Sequence, residues 1–344
     1  MSTAIVVGAD RSISRKASSR FLGGALRSMI ACTALLLGSL AAAQTTLRVA
    51  YVTALDSHFG DGVSGFAAEV ERASRGRIKV EHLAAYKGAG ELEIIDKVRK
   101  GELEMGNVTT AALAATVPDV RVFDLPFLFH SYGHARRTLD GPIGRRILDR
   151  FEAADLVGLA WTENGFRHIT NNKRPIVFPD DLAAVRLRTM ESPVHVAAFK
   201  ALRVEPMPMA FPRLLEALKA NQVDGQENPL PVILSSKIYE QQRYLSLTQH
   251  LYSAAALVVS KKLWDKLSPA DREILIAAAQ QGAHRQRNRV NTEELRALEY
   301  LRNVGVAVNL YVDGAAFRRM MRPRYAELFP GVDKEVVVAI LNNS

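Results

Sequence analysis

Cysteine is almost absent from this sequence. The 344 residues include one cysteine, Cys32, which falls in a stretch that we expect to be removed from the mature protein. The remaining chain then has no disulfide, no thiol nucleophile and no cysteine ligand for a metal. Hydrophobic residues make up 48% of the composition, so the fold must be held together by its buried core alone.

Signatures of enzymes and of nucleic-acid binding are also missing. The sequence has no G-x-S-x-G nucleophile turn and no Walker lysine loop. His130 and His134 stand four residues apart without the glutamate of an H-E-x-x-H zinc site, and we interpret them as surface or loop residues. Basic runs with interleaved aromatic residues do not occur. These absences argue against catalysis and against a nucleic-acid partner.

One glycine pattern favours an enzyme. Residues 60–65, GDGVSG, match G-x-G-x-x-G, and Glu81 follows at a distance suited to a ribose contact. However, a dinucleotide-binding turn follows its strand directly, whereas a loop precedes the first glycine here. We therefore interpret the pattern as a loop and a helix start that face a cleft. An exported dinucleotide-dependent enzyme remains the alternative.

The first 43 residues have the layout of a secretory signal peptide. Basic residues between Arg11 and Arg27 precede an apolar run over residues 29–40, and residues 41–43 offer three alanines for cleavage. The apolar run is shorter than the ~20 residues of a membrane span. We predict a signal peptide over residues 1–43, cleavage near Ala43, and a mature chain in the periplasm.

The order of the remaining elements predicts an α/β fold. Strands are expected over residues 47–53, 77–83 and 104–108, with helices over 63–74 and 91–100 between them. This β-α-β-α-β order is typical of a parallel sheet with crossover helices.

Two later features bear on the architecture. Residues 156–161 suggest a strand that ends in a turn over 163–167, and residues 254–260 suggest another strand. Residues 268–303 predict a single helix, because Ser268 caps it and only Gly282 weakens it. At 1.5 Å per residue such a helix spans roughly 50 Å. We expect it to run along or between two lobes.

Two polar segments indicate a site for an anion. Residues 185–189 alternate as a strand, with Arg186 and Arg188 on one face. Arg188 lies at the C-terminal end of this strand, where open α/β sheets bind ligands, whereas Arg186 is expected to be structural or exposed. Residues 223–229, VDGQENP, carry a second polar cluster, and Arg167 lies beside the predicted turn before residue 170. These segments could converge on one small anion.

The ordered blocks along the chain resemble a known family. From residue 47 to about residue 310, the sequence is similar to the DctP-type substrate-binding proteins of TRAP (tripartite ATP-independent periplasmic) transporters. The resemblance rests on GFR with the following asparagine (165–171), DL with RLR (181–188), PMPMAF (206–211), AL (217–218) and VDGQENP (223–229).

The resemblance implies a two-lobe α/β fold like that of type II periplasmic binding proteins, with crossing hinge strands and a lobe-spanning helix. Lobe I would comprise residues 44–164 and 254–292, lobe II residues 165–253 and 293–335, and the C-terminal tail residues 336–344. Closure of the lobes would capture a small organic acid, such as a sugar acid or C4-dicarboxylate, for membrane permease subunits. No enzyme activity, cofactor or metal is implied. A sensor that signals to a membrane receptor is a further alternative.

The resemblance also implies roles for individual residues. Arg188 corresponds to the carboxylate-clamping arginine of the family. The other implied ligand contacts are Arg167, Asn228, Phe211, Lys87, Glu91, Asn107 and Thr109. The sequence departs from the family before the PMPMAF block, where Arg203-Val204 replaces a glycine and a small residue. Because glycine there would permit a positive φ, we expect a different turn at Arg203.

Overall fold

The computed structural model describes residues 44–343. The predicted signal peptide, with Cys32 and the cleavage site, lies outside the described residues. Among the described residues no helix is long and apolar enough to cross a membrane. The same part of the chain contains no group of three or more acidic, histidine or cysteine side chains placed to hold a metal ion.

Strands and helices alternate along most of the chain. The strands are β1 (Thr45–Ala50), β2 (Ile78–Leu83), β3 (Met105–Thr109), β4 (Leu156–Asn171), β5 (Arg186–Thr189), β6 (Glu205–Pro208), β7 (Gly225–Pro229), β8 (Tyr244–Ser260) and β9 (Ala307–Asn309). The helices are α1 (His58–Ala73), α2 (Glu91–Lys100), α3 (Thr110–Leu113), α4 (Tyr132–Asp140), α5 (Pro142–Asp149), α6 (Pro193–Ala201), α7 (Leu214–Lys219), α8 (Leu230–Ser235), α9 (Lys261–Trp264), α10 (Pro269–Asn303), α11 (Gly314–Met321), α12 (Tyr325–Leu328) and α13 (Lys334–Asn342).

The strands form one mixed sheet in the order β2-β1-β3-β8-β4-β7-β5-β6, with β9 also paired to β8. β1 pairs in parallel with β2 and with β3, which agrees with the predicted crossover units. β5 likewise pairs in parallel with β6 and with β7. β4 and β8 are antiparallel at the centre and join the two halves of the sheet. The two-lobe α/β fold is therefore built around two strands that belong to both lobes.

The predicted turn over residues 163–167 is wrong. β4 is one strand of 16 residues, and its ladder with β8 absorbs the irregular sequence through register shifts, one of them between Glu163 and Gly165. Gly165 has φ +123°, a conformation that favours glycine. This shift lies at the predicted boundary between the lobes, and the boundary itself stays a prediction.

The long helix is confirmed. α10 runs for 35 residues from Pro269 to Asn303, and the Ser268 hydroxyl accepts a hydrogen bond from the backbone N–H of Asp271. Its first half contributes Leu275 and Ala279 to an apolar cluster shared with α1 and β1. Its second half contributes Leu301 to a separate cluster around α7 and α8. The helix thus packs on both lobes, because its apolar residues change partners along its length.

The G-x-G-x-x-G segment lies inside α1 rather than in a loop. A Cβ on Gly60 would lie 1.9 Å from the Leu55 carbonyl oxygen, and one on Gly62 would lie 2.8 Å from Cβ of Gln286 in α10. A Cβ on Gly282 would lie 2.7 Å from the Gly62 carbonyl oxygen. The glycines permit close approach of α1 and α10, which explains the motif without a nucleotide.

Arg203 does not form the different turn that its side chain suggested. Its φ is +61°, in the left-handed region that the glycine of the family would favour. Its N–H donates to the Lys200 carbonyl just after α6. The chain therefore keeps the left-handed turn, although arginine adopts this backbone conformation less readily than glycine does.

Candidate functional site

Three neighbouring strands of the second half of the sheet bring the predicted polar residues together. Arg167 in β4 lies opposite Pro229 in β7, and His168 lies opposite Asn228. In the parallel pair of β5 and β7, Arg188 lies opposite Gln226. Because the three strands are adjacent, residues far apart in sequence meet at one edge of the cleft.

Arg167 is fully buried and is held by Glu227. Its Nε and Nη2 both donate to the Glu227 carboxylate, with 2.8 Å between Nη2 and Oε1. Nη2 also lies 3.2 Å from Oδ1 of Asn228. Its Nη1 is buried without a hydrogen-bond partner in the described residues. A buried donor without a partner is costly, so this group is suited to an oxygen of a ligand.

Glu227 stays ionised although it is buried. Burial alone would raise its pKa, but Arg167, His195 and His250 hold the pKa well below 4.5. His250 Nε2 lies 3.2 Å from one carboxylate oxygen, and His195 Nδ1 lies 3.8 Å from the other. The sequence analysis missed Glu227, although it lies within the VDGQENP block and a buried arginine requires such a partner.

Arg188 is 2% exposed and, within the described residues, no carboxylate pairs with it. Its Nε and Nη2 donate to the Met209 carbonyl at 2.9 and 2.6 Å. Burial lowers the pKa of the guanidinium to about 10, although the negative charge of the nearby Glu227 partly opposes this effect. The Phe211 ring lies beside it, with 5.9 Å between Cζ and the ring centroid. Arg188 therefore remains a cation at neutral pH.

The other side of the cavity is supplied by Glu91, the first residue of α2, and Thr109, the last residue of β3. The Glu91 carboxylate accepts hydrogen bonds from the Thr109 backbone N–H at 2.8 Å and from the Thr109 hydroxyl at 2.7 Å. Burial raises the pKa of Glu91, against these bonds and the charges of Arg167 and Arg188. An acidic group thus lies within reach of the two arginines.

These side chains line one cavity. The space in it that the centre of a water molecule can occupy has a volume of about 30 Å³. Its lining residues are Val52, Thr53, Phe59, Glu91, Thr109, Asn164, Arg167, Arg188, Met190, Phe211, Asn228 and Val232. Since one water needs roughly 10–15 Å³ on this scale, the cavity accepts a whole sugar acid only if the lobes or side chains move.

The structure brings together six of the eight predicted site residues. Lys87 is exposed and does not line the cavity. Asn107 is 1% exposed and accepts a hydrogen bond from the Thr162 hydroxyl at 2.7 Å, so it ties β3 to β4. Arg186 was expected to be structural, and it forms an ion pair with Asp224 at 2.8 Å.

Asn164 is a lining residue that sequence reasoning missed. It occupies the register shift between β4 and β8, and its Oδ1 lies 3.2 Å from His58 Nε2. The apolar lining residues, such as Val52 and Phe59, were also missed. Their sequence pattern is that of ordinary core residues, and only the folded chain shows that they face a cavity.

Comparison with known proteins identifies the family. A model described as bacterial extracellular solute-binding protein, family 7 (DctP), matches residues 49–331. A solute-binding protein of Verminephrobacter eiseniae is 42% identical over 287 residues, which cover 83% of this chain and 86% of that protein.

Two crystal structures of TRAP periplasmic solute-binding proteins are similar to this chain over nearly their whole length. One, from Polaromonas sp. JS666 with D-erythronate bound, has a TM-score of 0.85 and 45% identity, covering 87% of this chain and 98% of that chain. The other, from Bordetella bronchiseptica with density assigned to pantoate, has a TM-score of 0.85 and 40% identity, covering 88% of this chain and all of that chain. The chain therefore belongs to the DctP family, whose members are solute-binding receptors of TRAP transporters and not enzymes.

Proposed function

We propose that this protein captures a short hydroxy acid with a single carboxylate and delivers it to a TRAP permease in the inner membrane. The observation that carries the proposal is the charge arrangement of the cavity. Arg167 forms an ion pair with Glu227, whereas Arg188 is a buried cation that forms no ion pair with a carboxylate of the described residues. One unpaired cation matches one carboxylate.

The carboxylate end is assigned to the arginines. Arg188 donates from Nε and Nη2 to Met209, which leaves Nη1 without a hydrogen bond in the described residues. Arg167 lines the same cavity and has a buried Nη1 without a partner there. A guanidinium can bind a carboxylate through two parallel hydrogen bonds. Lobe closure would remove this pair from water, which makes it strong and selective for an anion.

The rest of the ligand is assigned to Glu91. Its carboxylate accepts hydrogen bonds from Thr109 and has further lone pairs available for ligand hydroxyl groups. A second carboxylate on the ligand would meet this acid and be repelled. The cavity chemistry thus favours hydroxy acids over C4-dicarboxylates.

The ligands of similar proteins support this class. D-Erythronate and pantoate, reported for the Polaromonas and Bordetella structures, are both short acids with one carboxylate and more than one hydroxyl group. The same reasoning supports export, since the family is extracellular and the N-terminal segment has the layout of a signal peptide.

The direct test is calorimetric titration of the mature protein with D-erythronate, pantoate and succinate, together with the neutral lactone of each hydroxy acid. We expect tight binding of at least one hydroxy acid and none of its lactone. Arg188→Ala should weaken binding by roughly 30-fold or more, because one partner of a buried charge pair is lost. Arg186→Ala is the matched control, since Arg186 lies on the same strand and pairs with Asp224.

A second variant tests the role of Glu91. Glu91→Gln should reduce the preference for the hydroxy acid over succinate, because the repulsion of the second carboxylate disappears. Equal affinity of wild type for succinate and the hydroxy acid would overturn the assignment of ligand class. An Arg188→Ala variant that binds within about threefold of wild type would overturn the clamp.

A further inference from the structure

A second, larger cavity lies outside the ligand cleft. It has a volume of about 730 Å³, measured as for the cleft cavity, and includes Arg318, Arg322, His130, His134 and Gln249 among its lining residues. We name it the hinge cavity. We propose that it is a binding site for an organic oxyanion, a phosphate ester or carboxylate with an apolar body, distinct from the site of the transported acid.

The position of the cavity is set by a break in the central ladder. Between the pairs Arg167–Leu251 and Ile169–Ser246, one residue of β4 faces four residues of β8. The backbone of Gln249 turns there to φ +41°. The strands therefore separate where they join the two lobes, and the gap opens on the hinge cavity.

The charge of the hinge cavity is of one sign. No carboxylate lines it, and the side chain of Arg318 makes no hydrogen bond or ion pair with any residue between 44 and 343. Arg322 donates from Nη2 to the Phe127 carbonyl at 2.6 Å, and no acid pairs with it. By contrast, Arg319 on the same helix is 3.9 Å from Asp313, and Arg324 pairs with Glu327 at 2.7 Å. Two adjacent cations without acids attract an oxyanion.

A buried histidine provides an independent sign of a ligand. His134 is 1% exposed, and the sequence-based interpretation of it as a surface or loop residue is wrong. Its Nε2 bonds to the Ile340 carbonyl at 2.8 Å, which leaves Nδ1 buried without a partner. The ring of His130, an exposed residue, packs against the ring of His134, and their centroids are 4.3 Å apart. Because Nε2 donates to a carbonyl, Nδ1 is an acceptor, and a ligand hydroxyl that displaced His130 could donate a hydrogen bond to it.

The walls of the hinge cavity specify the rest of the ligand. Leu247, Val312 and Leu341, which are partly exposed, line it beside the two arginines. An inorganic ion would use only the charged rim, whereas an organic body would also bury apolar surface against these three side chains. The volume of the cavity is large enough for such a molecule.

Binding is tested by calorimetric titration of the mature Arg188→Ala protein, in which the cleft clamp is disabled. The probes are phenyl phosphate, benzoate and inorganic phosphate. We expect saturable binding of at least one aromatic anion, tighter than that of inorganic phosphate. Comparison of phenyl phosphate with benzoate shows which head group the arginines prefer.

Adding Arg318→Gln should weaken this binding about tenfold, because it removes the cation that has no other partner. Adding Arg319→Gln should leave it within about twofold, since Arg319 does not line the cavity. The absence of saturable binding by any probe up to about ten millimolar, or an equal loss in both arginine variants, would overturn the proposal. Failure of the cleft to bind hydroxy acids would not affect this result.

Discussion

At the scale of single residues, the buried ion pair of Arg167 and Glu227 positions one side of the ligand site. Both side chains are fully buried, and two guanidinium nitrogens are used by the carboxylate. The remaining Nη1 has no partner within the described residues, and Arg167 lines the cavity while Glu227 fixes the other edge of its guanidinium. The arginine is thus oriented by a residue that does not line the cavity.

We predict that Glu227→Gln lowers both stability and affinity. Removal of one partner leaves the other as an uncompensated buried charge, which costs about 3–5 kcal/mol. Chemical denaturation would measure the loss of stability, and calorimetry the loss of affinity for the hydroxy acid. Glu216→Gln, at an exposed position in α7, is the control. A Glu227→Gln protein as stable as wild type would contradict this account of the pair.

Arg203 offers a prediction of opposite sign. An L-residue in the left-handed region costs roughly 1–2 kcal/mol, and glycine loses about 0.5–1 kcal/mol through greater freedom in the unfolded chain. Arg203→Gly should therefore stabilise the protein, by up to about 1.5 kcal/mol. The only ion pair it would lose is an exposed one with Asp180 at 3.7 Å, which contributes little.

The denaturation midpoint measures this effect. Lys200→Gly is the contrast, because Lys200 lies in the last turn of α6 and glycine there should destabilise by about 1 kcal/mol. If both substitutions lowered the midpoint equally, the conformational account of Arg203 would be wrong.

The residues of the site were predictable only in part. Arg188, Arg167 and Asn228 lie in sequence blocks that resemble a family, so their positions could be transferred directly. Asn107 was transferred in the same way, yet its amide oxygen is occupied by Thr162. Its role depends on a neighbour 55 residues away along the chain, which local sequence does not specify.

At the scale of elements, the crossing of α1 and α10 depends on glycine. Gly62 and Gly282 face each other where the helices meet, and added side-chain atoms would collide with backbone or Cβ atoms. From sequence alone, three glycines in six residues suggested a loop. The helix forms despite them because the packing against α10 outweighs a loss of about 1 kcal/mol per glycine.

We predict that Gly282→Ala destabilises the protein by about 1–3 kcal/mol. The new methyl group would lie 2.7 Å from the Gly62 carbonyl oxygen and 3.0 Å from Cβ of Phe66, and overpacking of this kind has such a cost. Thermal unfolding measures the change. Gln281→Ala, at the neighbouring exposed position, should be neutral or slightly stabilising. A Gly282→Ala protein with unfolding temperature equal to or above that of wild type would refute the packing argument.

The central strands show why element boundaries were harder to predict. Glu163, Asn164 and Gly165 have the composition of a turn, but β8 pairs with β4 on both sides of them. A register shift accommodates the extra residue without ending the strand. Pairing between distant segments overrides the local preference here, whereas the strong caps of α10 made its limits predictable.

At the scale of the whole molecule, buried histidines link stability to pH. Burial lowers the pKa of His58 to about 4 and that of His168 to about 3. As the pH falls below 6.5, the unfolded chain takes up a proton at each site and the folded chain does not, so each histidine reduces stability in acid. Burial raises the pKa of Asp124 to about 6 and that of Glu294 to about 7. The folded chain therefore takes up these two protons before the unfolded chain does, and both acids increase stability as the pH falls.

The contribution of one histidine can be isolated. Relative to wild type, His168→Gln should become more stable by about 2 kcal/mol as the pH is lowered from 7 to 5. Denaturation curves at the two pH values give this difference directly. His284→Gln, at an exposed position of α10, is the control. A difference that does not vary with pH would show that His168 does not stay neutral in the folded state.

The central place of β4 and β8 also governs how the chain can fold. β3 pairs with a segment of β8 that follows it by about 150 residues. During synthesis or translocation from the N-terminus, β3 must therefore wait with one edge unpaired until most of the chain has emerged. Contacts between residues so far apart in the sequence slow folding, so the chain remains unfolded for longer. The two strands that join the lobes should thus give the protein a late, highly cooperative folding step, in which neither lobe is complete without the other.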